Sequence, residues 1–201
     1  ITMLWVDTDG SHGNSDSIMA NTTFSTDGSF QHITGAWDGT GDDGKIYIDG
    51  ADDSDTNSGN WSSWNMATGI SIGEYNSDPA QGIYDEARIS NIERSAAWVK
   101  ADYYSCLNNL LSFEPETYEP GTWLGDWAYR RTIKLDSSLT NEDLTDFPVL
   151  IHLSSESGRS ASDLSSVFEE LATISGGDRK KIAITTDDYV SQCYVEVEKF
   201  D

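Results

Sequence analysis

Asp-Gly dipeptides set the scale of what the first half of this chain can fold into. Asp38-Gly39, Asp43-Gly44 and Asp49-Gly50 fall within thirteen residues of one another. Each is a tight-turn signal, so the segments between them are too short for anything but brief antiparallel strands. Phe30 to Trp37 reads as a strand with Ile33, Gly35 and Trp37 on one face, and Lys45 to Ile48 (KIYI) as the next, ended by Asp49-Gly50. Ile1 to Val6 reads as an edge strand and Gly69 to Tyr75 as another strand. Gly82 to Ile89 carries Ile83, Ala87 and Ile89 at the period of a half-buried strand. Ser90 and Asn91 break that period. A short amphipathic helix then follows from Ser95 to Tyr104, with Ala96, Val99 and Tyr103 at helical spacing. Regularly spaced short strands with turn signals predict an all-β domain, an antiparallel β-sandwich, over residues 1–106.

The pattern changes after Cys106. Glu114, Pro115, Glu116, Glu119, Pro120 and Gly121 read as an extended, self-repelling linker over 107–123. Residues 124–201 read as a partial second β-rich domain with one short helix. Its strands are expected at Trp127–Leu135, Phe147–Leu153, Lys181–Thr185 and Gln192–Phe200. The helix spans Ser162 to Ala172, with Leu164, Val167, Phe168 and Leu171 on one face and Ser162 or Asp163 as its cap.

Charge narrows the partners. Thirty-five acidic against 12 basic residues give a net charge of −23. A field of that sign repels phosphate backbones and anionic bilayers, which argues against nucleic acid and against membrane surfaces. No run reaches the ~18 apolar residues of a membrane span. Seven Trp and nine Tyr argue against disorder. Two cysteines, Cys106 and Cys193, are too few for a disulfide framework. They pair only if the fold brings their Cα atoms within about 7 Å. Asn21-Thr22-Thr23 and Asn60-Trp61-Ser62 fit the N-glycosylation triplet, as chance allows in a chain so rich in Asn and Ser. A start at Ile1 suggests a chain trimmed or cut from something longer.

Three runs carry a family resemblance. They are Phe30-Gln31-His32-Ile33-Thr34-Gly35-Ala36-Trp37-Asp38-Gly39, then Lys45-Ile46-Tyr47-Ile48-Asp49-Gly50, then Ile72-Gly73 followed by Gly82-Ile83-Tyr84-Asp85-Glu86-Ala87-Arg88-Ile89. In this order they resemble the laminin-G-like modules of the concanavalin A-like lectin/glucanase superfamily, and the helix with Trp98 and Tyr103 resembles that family's closing helix. The resemblance implies a jelly roll of which the C-terminal part is present. Trp127 to Ile133, Leu144 to Ile151 and Tyr194 to Asp201 resemble the first part of the domain of unknown function twenty-three forty-one. That domain implies neighbouring modules in large surface proteins and no particular reaction.

Candidate chemistry follows from residue type. Asp7, Asp9, Asn14 and Asp16 alternate oxygen donors with glycines, which suits the irregular oxygen shell of calcium. Asp49 with Ala51 to Asp55 is a second such loop, and calcium is the candidate cofactor at either. Trp61, Trp64 and Tyr75, with Asn60, are the candidate carbohydrate-binding residues, offering aromatic faces to sugar rings and an amide to hydroxyls. Retaining glycosidases need two carboxyls about 5–5.5 Å apart. Only Glu196-Val197-Glu198 places two on one strand face, and a solvated strand face explains that run as well. Asp85 and Glu86 are adjacent, so they point to opposite faces, and they suit Arg88 pairing better than catalysis. No nucleophile accompanies His12, His32 or His152.

The sequence therefore predicts a non-catalytic, extracellular carbohydrate-binding or adhesion segment of a larger modular surface protein, on a cell or a virion. Its expected partners are a polysaccharide or glycoconjugate, neighbouring modules or identical subunits, with no nucleic acid and no membrane insertion. A purely structural stalk, fibre or surface-layer element is the alternative, and a glycoside hydrolase the second alternative.

Overall fold

The computed structural model describes residues 3–5, 17–23, 27–37, 44–55, 74–75, 78–79, 82–120, 124, 127–167 and 182–196. The chain divides into two compact units, Ile1–Tyr103 with Thr140–Thr145, and Tyr104–Leu139 with Asp146–Asp201. The described secondary structure is mostly short strands, as an all-β chain requires.

In the first unit β1 (Met3–Trp5) pairs antiparallel with β2 (Ser17–Met19). β3 (Ile33–Ala36), β4 (Lys45–Ile48) and β5 (Ala51–Asp52) form an antiparallel sheet in that order. The Asp49-Gly50 signal acts as read: Ile48 pairs with Ala51 across a two-residue loop, and both loop residues have positive φ, 52° and 75°. That is the geometry that matches strand twist in a hairpin. Ile46 and Ile48 are buried with Ala20, and Trp37 packs on them. Tyr47, on the other side of β4, is buried with Ala36 and Val99. Burial and then the nearby charges of Asp52 and Glu93 push the Tyr47 phenol above its ordinary pKa. β6 (Glu74–Tyr75) and β7 (Asp78–Pro79) make a short hairpin.

The face expected in β3 is present: Ile33 and Gly35 pair with Ile48 and Ile46, and Trp37 packs on the core that those two residues form with Ala20. The other face carries Ala36, which lies against Tyr47 and Val99. One expectation fails. The segment from Gly82 to Ile89 is not a buried strand. It is irregular and exposed, with Ile83 81% and Ile89 69% accessible. An alternating sequence becomes a strand only beside a ladder partner, and among the described residues no strand pairs with it.

α1 (Ala96–Cys106) begins where the sequence predicted a helix. Ser95 caps it: its hydroxyl accepts from Trp98 N at 3.2 Å and its carbonyl accepts from Val99 N at 3.0 Å. The buried residues of α1 are Ala97, Val99, Ala101, Asp102 and Ser105, a wider face than Ala96, Val99 and Tyr103 would give. The division between the two units falls within α1, after Tyr103.

In the second unit residues 107–120, the described part of the stretch read as a linker, are structured. β8 (Leu111–Phe113) pairs with β11 (Ile133–Leu135), and β9 (Thr117–Tyr118) pairs with β10 (Tyr129–Arg130). Four residue steps from Phe113 to Thr117 oppose three from Ile133 to Arg130, so one extra residue is accommodated between the two ladders, as in a bulge. Leu110, Leu111 and Phe113 are buried with Leu164, and Tyr104, Ile133, Leu139, Phe147, Ile151 and Leu153 pack around them. The prolines and acids that suggested a linker flank a buried apolar core, Leu110 to Phe113, that outweighs them. Phe147 to Leu153 contributes side chains to this core without joining a ladder. Of the expected helix the described part is 165–167, and Asp163 is its cap, accepting from Ser165 N at 2.9 Å. Ser162 instead donates to Phe113 O at 3.2 Å. Residues 182–184 and 193–196 form no strand, and Thr185 and Gln192 meet only in an isolated bridge.

Candidate functional site

Among the described residues of the first unit, a polar cluster converges on Asp102. α1 presents this carboxylate from a buried face of mostly small side chains, beside Val99 and Ala101. Its Oδ1 accepts from Arg88 Nη1 at 3.0 Å, and its Oδ2 lies 3.1 Å from His32 Nε2. The Asp102 side chain is only 11% accessible, so an unpartnered carboxylate there would be costly. Arg88 extends the network to Glu86, whose Oε2 is 3.2 Å from Nη2.

The same cluster ties down the β4–β5 turn. His32 N donates to Asp49 Oδ1 at 3.0 Å, and Asp49 N donates back to His32 O at 2.8 Å. The His32 ring lies against Tyr103, with centroids 5.9 Å apart and planes at 52°. A Cβ at Gly50 would stand 3.0 Å from Tyr103 side-chain atoms and 3.2 Å from Lys100 Cα, so only glycine lets the turn sit on α1. Three separate sequence runs, those containing His32, Asp49-Gly50 and Glu86 with Arg88, thus meet at α1. Arg94 stacks over the Trp98 ring at 4.5 Å one turn further back.

Chemically this is a latch. Both oxygens of Asp102 are engaged, one of them by a guanidinium. The imidazole edge facing Asp102 is used in that contact, and Nδ1 of His32 is buried without a hydrogen-bond partner. Glu86 pairs with Arg88 as the sequence suggested, while Asp85 accepts from Glu86 N at 2.9 Å.

The candidate carbohydrate-binding residues Asn60, Trp61 and Trp64 and the candidate calcium ligands Asp7, Asp9, Asn14 and Asp16 lie outside the described residues. Tyr75 is placed in β6 by its backbone. The second acidic loop is described, and its carboxylates serve separate turns. Asp53 accepts from Thr22 N at 2.8 Å and Thr22 Oγ1 at 2.9 Å. Asp52 accepts from Ser54 N at 3.1 Å and Ser54 Oγ at 2.7 Å. Burial raises the Asp52 pKa, but the Ser54 bonds and the nearby Lys45 outweigh it and leave the carboxyl below its ordinary value. Among the described residues no three acids converge on one point. Glu196 is exposed, and Glu198 lies outside the described residues. Neither cysteine is in a disulfide, and both are exposed.

Asp102 was missed in the sequence. Its signal was there: an acid three residues after Val99, on a helix face that also carries Ala97 and Ala101.

The comparison with family models agrees with the three runs between Phe30 and Ile89. No curated protein and no solved structure matches the chain. A laminin-G family model, described as the concanavalin A-like lectin/glucanases superfamily, matches residues 2–100. The first segment of the chain, residues 2–100, belongs to that superfamily.

Proposed function

We propose that this chain is a non-catalytic carbohydrate-binding or adhesion segment of a larger, extracellular, modular surface protein. The observation that carries the reading is the superfamily match over residues 2–100, whose members are lectins and glucanases. The state of the acids favours the lectin branch. Hydrolysis of a glycoside uses two carboxyls set on either side of the bond. In the first unit Asp102 is held by Arg88 and His32, Glu86 by Arg88, and Asp53 by Thr22. In this reading Trp61, Trp64, Tyr75 and Asn60 contact the sugar, and Asp7, Asp9, Asn14 and Asp16 bind calcium. No helix among the described residues is long and apolar enough to cross a membrane.

The test is a glycan array probed with the full chain, with calcium and with chelator, beside Trp61→Ala and Trp64→Ala. Binding that both substitutions abolish supports the reading. An array silent in both conditions overturns it. Release of reducing sugar that Glu196→Gln abolishes would favour the hydrolase instead.

A second reading, a structural stalk or surface-layer element, has its own support. Phe30, Ile83, Ile89 and Ile92 are 71%, 81%, 69% and 58% accessible, and large exposed apolar side chains suit packing against neighbouring modules. Self-association in analytical ultracentrifugation that Ile83→Asp abolishes would favour it. A monodisperse monomer would count against it.

A further inference from the structure

We propose a second sugar-binding platform in the second unit, formed by Tyr118 and Tyr129 and independent of the first unit's tryptophans. The two residues are directly opposite each other in the β9–β10 ladder, so their side chains leave the ribbon on the same side. Their rings are 5.0 Å apart between centroids and inclined at 49°. Both remain open to solvent, Tyr118 at 62% and Tyr129 at 56%.

The other side of the ribbon explains why this pair is held outward. Strand alternation sends Arg130 and Glu119 to that side. There Arg130 Nη2 lies 2.6 Å from Glu119 Oε2, and its guanidinium stacks 4.6 Å over the Tyr189 ring. Glu119 N donates to Ala128 O at 2.9 Å, which continues the ladder past Tyr118. One face is thus pinned by an ion pair and a cation–π stack. The opposite face presents two phenol rings whose relative position the backbone sets.

The chemistry of that face selects an uncharged sugar. Two rings offer at most ~300–500 Å², well short of the about 800 Å² that each partner gives to a stable protein interface. The apolar face of a hexose matches that scale, and stacking on it uses the ring faces rather than the phenol hydroxyls. Nucleobases also stack on tyrosine, but a net charge of −23 opposes the phosphates that come with them. The same charge opposes uronic-acid and sulfated polymers. The expected ligand is a neutral polysaccharide, stacked through one or two consecutive residues.

The experiment is retention of the full chain on insoluble neutral glucans, microcrystalline cellulose and curdlan, with polygalacturonate as the anionic control. Retention on at least one glucan and none on the control is expected. Tyr118→Ala and Tyr129→Leu should each weaken it by about fivefold to tenfold, while Tyr118→Phe should keep it. The leucine preserves apolar volume without an aromatic face, so it separates stacking from folding, and circular dichroism of each variant checks the fold. No retention on either glucan overturns the proposal. Retention lost in the tryptophan variants and kept in the tyrosine variants also overturns it, while leaving the first unit's reading intact.

Discussion

Arg88 donates through Nη1 to Oδ1 of Asp102 at 3.0 Å, and this bond attaches an otherwise exposed segment to α1. Asp102 is nearly buried and Arg88 about half exposed, at 11% and 47% of their side chains. The two partners should therefore respond unequally to removal. Asp102→Ala leaves Arg88 able to reach water but removes the buried carboxylate that it shares with His32, and about 2–3 kcal/mol of stability should be lost. Arg88→Gln should cost about 1 kcal/mol, since solvent screens its half of the pair. The double variant should be less destabilised than the sum, because the bond can be lost only once. Urea unfolding, followed with hydrogen exchange of residues 82–103, measures all three. Strict additivity would show that the Arg88–Asp102 bond contributes nothing.

Gly50 and Gly82 make a matched pair of tests. Gly50 has φ 75°, and a Cβ there meets Tyr103 at 3.0 Å. Gly50→Ala should cost about 2 kcal/mol, from left-handed backbone strain together with displacement of the turn from α1. Gly82 has no atom within 4 Å of a built Cβ, so Gly82→Ala should stay within about 0.5 kcal/mol of the parent. Thermal unfolding of both variants decides the matter. Equal melting temperatures would mean that the β4–β5 turn does not bear on α1.

These residues also show how far the sequence could be read. Asp49-Gly50 was legible because turn chemistry is local: two residues of positive φ leave few choices. Lys45 to Ile48 was legible because its neighbours in the sheet lie close along the chain. Gly82 to Ile89 misled because its alternation describes a strand's faces and says nothing of whether a ladder partner exists. The 107–123 stretch misled for the opposite reason. Its prolines and acids are local signals of an open chain, while the burial of Leu110, Leu111 and Phe113 depends on Leu164, more than fifty residues away. Asp102 stayed hidden because its meaning lies in Arg88 and His32, 14 and 70 residues distant.

The turn around Asp188 gives a pH prediction. The side chain and N–H of Ser191, the N–H of Val190 and the hydroxyl of Thr186 all donate to this carboxylate. The Ser191 hydroxyl is the largest cause, and together these bonds hold the carboxyl well below its ordinary pKa. A depressed pKa in the folded turn means its stabilisation is complete above the unfolded value of about 3.9 and fades only as pH falls below that toward the folded value. The amides of Val190 and Ser191 should keep their chemical shifts from pH 7 down to about pH 4. They should move only in stronger acid. Asp188→Asn should reproduce at pH 7 part of the shift seen in acid. Movement of these amides between pH 5 and 4 would contradict the assignment.

Gly158 offers the sharpest test of the second unit's core. Its φ is 65°. A Cβ there would lie 2.5 Å from Leu111 O and 2.9 Å from the Phe113 ring. The next residue, Arg159, donates its N–H to that same Leu111 O at 2.8 Å. A methyl group at 158 must therefore push away a backbone carbonyl that is already bonded, with no flexible side chain to yield. Gly158→Ala should lose about 2–3 kcal/mol. Leu164→Ala, which empties a fully buried site in the same cluster, should lose about 2–5 kcal/mol. Because Gly158 and Leu164 both act on Leu111 and Phe113, the double variant should fall short of the sum. Hydrogen exchange at residues 110–113 in each variant reads the effect where it arises. Unchanged protection of those amides in Gly158→Ala would mean that the 158–162 turn does not pack on β8.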